Sequence, residues 1–138
     1  MYKPQHRKRP LTPEELELDA YFEAFHLSFP NALAYHVPNE GKRARHIAKR
    51  IGILSGVPDI FVDEARGGFF GLRIEMKRTD KKSKVQDSQK HILCLMQNRG
   101  YCAVIAWGWE QAMQFTKNYM ANETTLCCGE INHAHNKT

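Results

Sequence analysis

The chain has 138 residues, 20 Lys and Arg against 15 Asp and Glu, a formal net charge of +5 and 42% hydrophobic residues. That length and hydrophobic content fit one compact domain and exclude a disordered or fibrous chain. No apolar run approaches the ~18 residues of a membrane span, and the charged N-terminus lacks the apolar stretch of a signal peptide.

Residues 1–11 read as a basic arm containing Lys3, Arg7, Lys8 and Arg9. Thr12-Pro13-Glu14-Glu15 then predicts a helix start, with Thr as N-cap, Pro at the first helical position and Glu15 closing a capping box. Leu18, Phe22, Phe25 and Phe29 follow at helical spacing, and Pro30-Asn31 ends the helix. Residues 32–37 predict a short strand, 38–41 a turn and 42–51 a short basic helix. Residues 59–63 and 69–77 predict a hairpin around Glu64-Ala65-Arg66-Gly67-Gly68. Ser83-Lys84-Val85-Gln86 looks like a second capping box, opening a helix with Val85, Ile92, Leu93 and Met96 as its apolar stripe and Gly100 as its stop. Residues 101–107 predict a strand and 109–120 a last helix, leaving 122–138 as a polar tail. The order α-β-α-β-β-α-β-α predicts an α/β fold, a mixed sheet flanked by helices.

Positive charge is clustered. Residues 41–58 hold five basic side chains and no acidic one, and residues 73–90 hold seven against Glu75, Asp80 and Asp87. Such clusters favour a polyanionic partner through phosphate contacts and counterion release. The cysteines Cys94, Cys102, Cys127 and Cys128 accompany no secretory signal, so a reducing compartment is expected rather than a disulfide framework. Cys127, Cys128, His133 and His135 could be drawn as a zinc site, but their spacing matches no common zinc pattern.

The chemistry concentrates on the hairpin. Strand alternation puts Leu72, Ile74 and Met76 on one face and Arg73, Glu75 and Lys77 on the other, Glu75 and Lys77 being ~7 Å apart. A turn centred near residue 66 or 67 sets Asp59 opposite or diagonal to Glu75. Two close carboxylates repel, and one of them takes a raised pKa, unless a divalent cation such as Mg²⁺ or Mn²⁺ sits between them. Lys77 then faces the attacked phosphate or the attacking water. The plain alternative is a salt-bridged strand exterior. Gln89 falls in the middle of an apolar helical stripe, where it either caps a core backbone group or reaches a water or phosphate beside Lys77. Glu15 is occupied by its capping box, yet it shares a helical face with Leu18 and Phe22 and is a candidate further metal ligand.

The segment Gly56-Val57-Pro58-Asp59-Ile60-Phe61-Val62, followed by Gly71-Leu72-Arg73-Ile74-Glu75-Met76-Lys77-Arg78, resembles the virus-type replication-repair nuclease (VRR-NUC) family of the PD-(D/E)xK nuclease superfamily. The resemblance takes in Pro38-Asn39-Glu40-Gly41-Lys42-Arg43 upstream and Ser88-Gln89 and Arg99-Gly100-Tyr101 downstream. It implies a restriction-endonuclease-like fold over residues 12–121 and Mg²⁺- or Mn²⁺-dependent hydrolysis of DNA phosphodiesters. By motif, Asp59, Glu75 and the backbone carbonyl of Met76 are the implied metal ligands, Lys77 the catalytic lysine and Gln89 the helix glutamine. The first-helix acid of the family falls on Glu15, with Glu14 the alternative. Stand-alone members of this size are similar to Holliday junction resolvases, form homodimers and occur in phages and bacteria. A cytoplasmic setting, in a bacterial cell or a phage-infected host, is the matching expectation.

The expected function is therefore cleavage of four-way junctions by a homodimer in replication, repair or recombination. Lys42, Arg43, Arg45, Lys49, Arg78, Lys81 and Lys82 are the expected phosphate contacts, with no membrane partner. The competing expectations are a monomeric flap or nicking nuclease and a non-catalytic DNA-binding module with the same fold. The first-helix aromatics and Trp107-Gly108-Trp109 are candidate dimer surfaces.

Overall fold

The computed structural model describes residues 9–38 and 45–124, the side chain of Arg45 excepted. Its elements are α1 (Pro13–Ser28), β1 (Ala34–His36), α2 (Arg45–Arg50), β2 (Ile60–Val62), β3 (Leu72–Lys77), α3 (Asp87–Asn98), β4 (Cys102–Trp107) and α4 (Trp109–Met120). This is the order that the sequence predicts. The strands form one mixed sheet in the order β1-β2-β3-β4, antiparallel from β1 to β3 and parallel between β3 and β4. A parallel pair needs a crossover, and α3 supplies it. Among the described residues no helix is long and apolar enough to cross a membrane.

α1 begins as expected. The Glu15 backbone N–H donates to the Thr12 hydroxyl, and the Thr12 N–H donates to the Glu15 carboxylate. Its aromatics are turned largely into the chain's own core rather than held out as a free surface. Tyr21 and Phe25 are fully buried in the core, and Phe22 and Phe29 pack against it. They meet Ile60, Val62, Leu72, Ile74 and Met76 of the sheet and Ala112, Met113 and Tyr119 of α4. α1 and α4 therefore share one sheet face, and Tyr21 ties them together through its hydroxyl, 2.8 Å from Thr116 Oγ1.

α4 starts at Gly108, which has no side chain to cap it. Glu17 of α1 acts instead: one carboxylate oxygen accepts the Trp109 N–H and the other accepts the Thr79 hydroxyl, both at 2.8 Å. A helix terminus is thus satisfied by an acid from a neighbouring helix, which suits the positive end of the dipole.

α3 starts later than the sequence predicts. Ser83 does not cap it, because the Ser83 hydroxyl accepts the Arg78 N–H at 3.3 Å and so closes the loop after β3. Gln86 is the N-cap, and Val85 lies outside the helix, half-buried. Ile92 and Leu93 bury the helix against the sheet face that carries Arg73, Glu75 and Lys77. β3 is accordingly buried along its whole length, on both faces. That rules out the salt-bridged exterior as the setting of Glu75 and Lys77. The β2–β3 loop is also longer than expected, because Arg66 and Phe69 close a tight turn on each other and hold residues 69–71 out of the strand.

Candidate active site

Pro58-Asp59 works by interrupting a ladder. The β2–β3 register pairs Ile60 with Ile74, so its next steps set Asp59 across from Glu75 and Pro58 across from Met76. Odd residues of β3 bond toward β4, as the Lys77 carbonyl does in accepting the Gly108 N–H at 2.8 Å. Met76 therefore turns its N–H and C=O toward β2, where Pro58 has no N–H to give. The Asp59 carboxylate takes over the Met76 N–H at 2.8 Å. The sheet opens here, with the Asp59 carboxylate and the Met76 carbonyl at the opening. The Asp59 backbone is itself fixed, its carbonyl accepting the Val37 N–H and His36 Nδ1, each at 2.8 Å.

Glu75 and Lys77 lie beside this gap, 3% and 7% exposed. Lys77 Nζ is 3.2 Å from Glu75 Oε1 and 2.8 Å from Gln89 Oε1. Gln89 Nε2 donates to Glu75 Oε1 at 2.6 Å, and Gln89 Oε1 also accepts the Gln86 N–H at 2.9 Å. The amide is thus oriented by the helix start and bridges the acid and the lysine. The other Glu75 oxygen, Oε2, is buried with no hydrogen-bond partner. A buried carboxylate oxygen left without a donor is costly, and it points to a missing positive partner.

The electrostatics agree with that geometry. Burial first, and then the charge of Asp59, push the Glu75 carboxyl up to about 7, against the opposing pull of Lys77. Burial also raises Asp59, against the hydrogen bond from Met76. In the metal-free protein the folded state therefore binds the Glu75 proton more tightly than the unfolded chain does. Stability is fullest below the ordinary carboxyl pKa of 4.5 and is lost as pH rises toward about 7. Chemical denaturation in chelator should show a fall of about 2 kcal/mol between about pH 5 and 7. Glu75→Gln should remove most of that fall; an unchanged slope would contradict the assignment.

A cavity of about 200 Å³ opens at this point, lined by Glu14, Glu17 and Leu18 of α1, by Asp59, Glu75, Met76 and Lys77, and by Arg78 and Ser83. A wider groove beside it is lined by Thr12, Glu15, Phe22, His36 and Asp59, among others. A search of solved structures finds the same arrangement of elements in a VRR_NUC domain protein. It aligns with a TM-score of 0.68 and 25% identity, over 84% of this chain and 94% of that one. The chain has the fold of a VRR-NUC domain. No sequence profile of a known family matches it, and no curated protein does.

Within this VRR-NUC fold, Asp59, Glu75, Lys77 and Gln89 come together, and the β2–β3 register brings the Met76 carbonyl to the same place. Glu15 stands apart. Its carboxylate is spent on the Thr12 cap and on Arg9, 2.6 Å away, and those contacts hold its carboxyl down at about 2. Among the α1 acids it is Glu14 and Glu17 that line the site cavity. Glu14 has a signal in the sequence, one helical turn before Leu18 on the same side, whereas Glu17, next to Leu18, has none. Among the described residues no group of three or more His, Cys, Asp or Glu side chains is gathered for a metal. A cation here would rely on two carboxylates completed by the backbone.

Arg78 borders the cavity, 3.7 Å from Glu14 and 2.6 Å from Asp80. Lys81 and Lys82 are exposed in the following loop, and Lys49 is exposed on α2. Lys42, Arg43, Glu40 and the Cys127, Cys128, His133 and His135 tail lie outside the described residues, as does the Arg45 side chain.

Proposed function

We propose that the protein is a divalent-metal-dependent endodeoxyribonuclease that cuts branched DNA, with four-way junctions as its substrate and a homodimer as its working form. One observation carries the reading: the unpartnered buried oxygen of Glu75, across the opened β2–β3 ladder from Asp59 and beside Lys77. Two buried carboxylates, with a carbonyl at their side, are a hard-oxygen donor set suited to Mg²⁺ or Mn²⁺. Asp59, Glu75 and the Met76 carbonyl would hold that ion. Glu14, in place of Glu15, is the α1 acid that we assign to the cavity. When bound, the ion supplies Lewis-acid polarisation of the scissile phosphate and a lower pKa for the attacking water.

The remaining work falls to this chain's side chains. Lys77 offers a buried ammonium to the phosphate oxygens as negative charge builds on them. Gln89 keeps Lys77 and Glu75 in register and has the donor and acceptor to orient a water. Arg78, Lys81, Lys82 and Lys49, with Lys42, Arg43 and Arg45, hold the backbone by charge and shape, with little base readout. One such site cuts one strand. A junction presents two symmetric strands, and a two-fold pair of chains matches them.

The substrate is tested by presenting labelled junction, flap and duplex side by side in Mg²⁺, with sedimentation of the protein in parallel. Paired incisions in the junction by a sedimenting dimer are expected. Preferential cutting of the flap by a monomer would replace the junction reading with a flap-nuclease one.

A further inference from the structure

The row of residues next to Asp59 and Glu75 on the same sheet face carries two aromatic rings and one arginine. Register pairs Tyr35 with Phe61, and Phe61 with Arg73, one same-face step from Asp59 and Glu75. Same-face neighbours along a strand are ~7 Å apart, close to one nucleotide of an extended DNA strand. The Arg73 guanidinium lies 4.1 Å from the Phe61 ring centre and 4.3 Å from that of Tyr101, so it is held between two rings. It also pairs with Asp63 at 2.9 Å, and the other Asp63 oxygen accepts the Tyr35 hydroxyl at 2.7 Å. Tyr35 and Phe61 ring centres are 5.8 Å apart.

Arg73 is 6% exposed, whereas Tyr35 at the outer end is 41% exposed. A surface tyrosine usually keeps its hydroxyl in water and leans its ring on the protein. Here the hydroxyl is bonded to the Asp63 carboxylate, itself paired with Arg73, so the ring is tethered at its polar end while the residue stays exposed. Its position is fixed through Asp63 and a buried arginine, which limits the ordering entropy lost when something stacks on it.

We propose that Tyr35, backed by Phe61, is a stacking platform for an unpaired nucleobase of the cleaved strand, next to the nucleotide whose phosphate lies at Asp59, Glu75 and Lys77. The proposal rests on the nuclease reading and narrows its substrate. A base inside a duplex already has both faces covered and cannot stack on a side chain. The platform therefore selects DNA with an unpaired or frayed base beside the cut, as at a branch point. Stacking of this kind is indifferent to base identity and adds selectivity for structure without sequence readout.

The test uses the full chain in Ca²⁺, where binding is read without turnover. Branched oligonucleotides carry 2-aminopurine, or an abasic analogue, at the unpaired position beside the cut. Wild-type protein should quench 2-aminopurine and bind the base-bearing DNA roughly tenfold more tightly than the abasic one. Tyr35→Ala should abolish both effects, and Tyr35→Phe should keep them, because it retains the ring. Equal affinity of wild-type protein for the two DNAs would overturn the platform, and that arm does not depend on any variant folding. So would Tyr35→Ala protein that still quenches and discriminates. Discrimination in Ca²⁺ with no products in Mg²⁺ would support the platform and overturn the nuclease reading alone.

Discussion

Replacing Lys77 with Ala should reduce cleavage of branched DNA by at least ~100-fold while DNA binding persists. The ammonium is buried between Glu75 Oε1 and Gln89 Oε1, and a water filling its place would carry no charge. Its loss leaves Gln89 Nε2 as a donor to Glu75 but removes the fixed positive charge that meets the phosphate. Asp59→Ala should be at least as damaging, because it removes a carboxylate from the proposed metal site and also strands the Met76 N–H. Labelled-DNA cleavage and gel-shift binding measured on the same preparations separate chemistry from binding. Wild-type rates in either variant would contradict the mechanism.

Gly56→Ala should lower stability by roughly 3–4 kcal/mol and impair the site as well. Gly56 has φ +86°, a left-handed conformation that costs any residue with a side chain. A Cβ placed there would lie 2.6 Å from the Ser88 carbonyl carbon and oxygen and 2.9 Å from the Gln89 nitrogen. Those are backbone atoms at the first turn of α3, which move only if the whole helix start moves. Gln89 would then be displaced from Glu75 and Lys77. Thermal denaturation and cleavage should both report the defect. A variant with wild-type melting and wild-type activity would show that the loop and α3 are not locked together in this way.

Much of the fold was legible because the local signals agreed with one another. The Thr12–Glu15 box, the Gly100 stop and the two glycines of the hairpin loop each mark an element end through backbone geometry alone. Asp59, Glu75 and Lys77 were legible because strand alternation and hairpin register are fixed by counting. Ser83 misled because its hydroxyl has two possible clients, the helix after it and the strand before it, and tertiary position decided for Arg78. Glu15 was legible as a cap, and its carboxylate is engaged by Thr12 and by Arg9, a residue of the basic arm whose contact no local pattern foretells. Neither Glu17 at the start of α4 nor Arg73 between two rings can be read from sequence, since each joins elements far apart in the chain.

Asp59, Glu75 and Lys77 are proposed here as a divalent-metal site for hydrolysing DNA. That role is tested most directly by incubating labelled branched DNA with the wild-type protein across a Mg²⁺ titration, with a chelator control. Discrete products that appear with Mg²⁺ and disappear with chelator are expected. Salt-sensitive binding with no products at any Mg²⁺ or Mn²⁺ concentration would contradict it and leave a DNA-binding module with a nuclease fold.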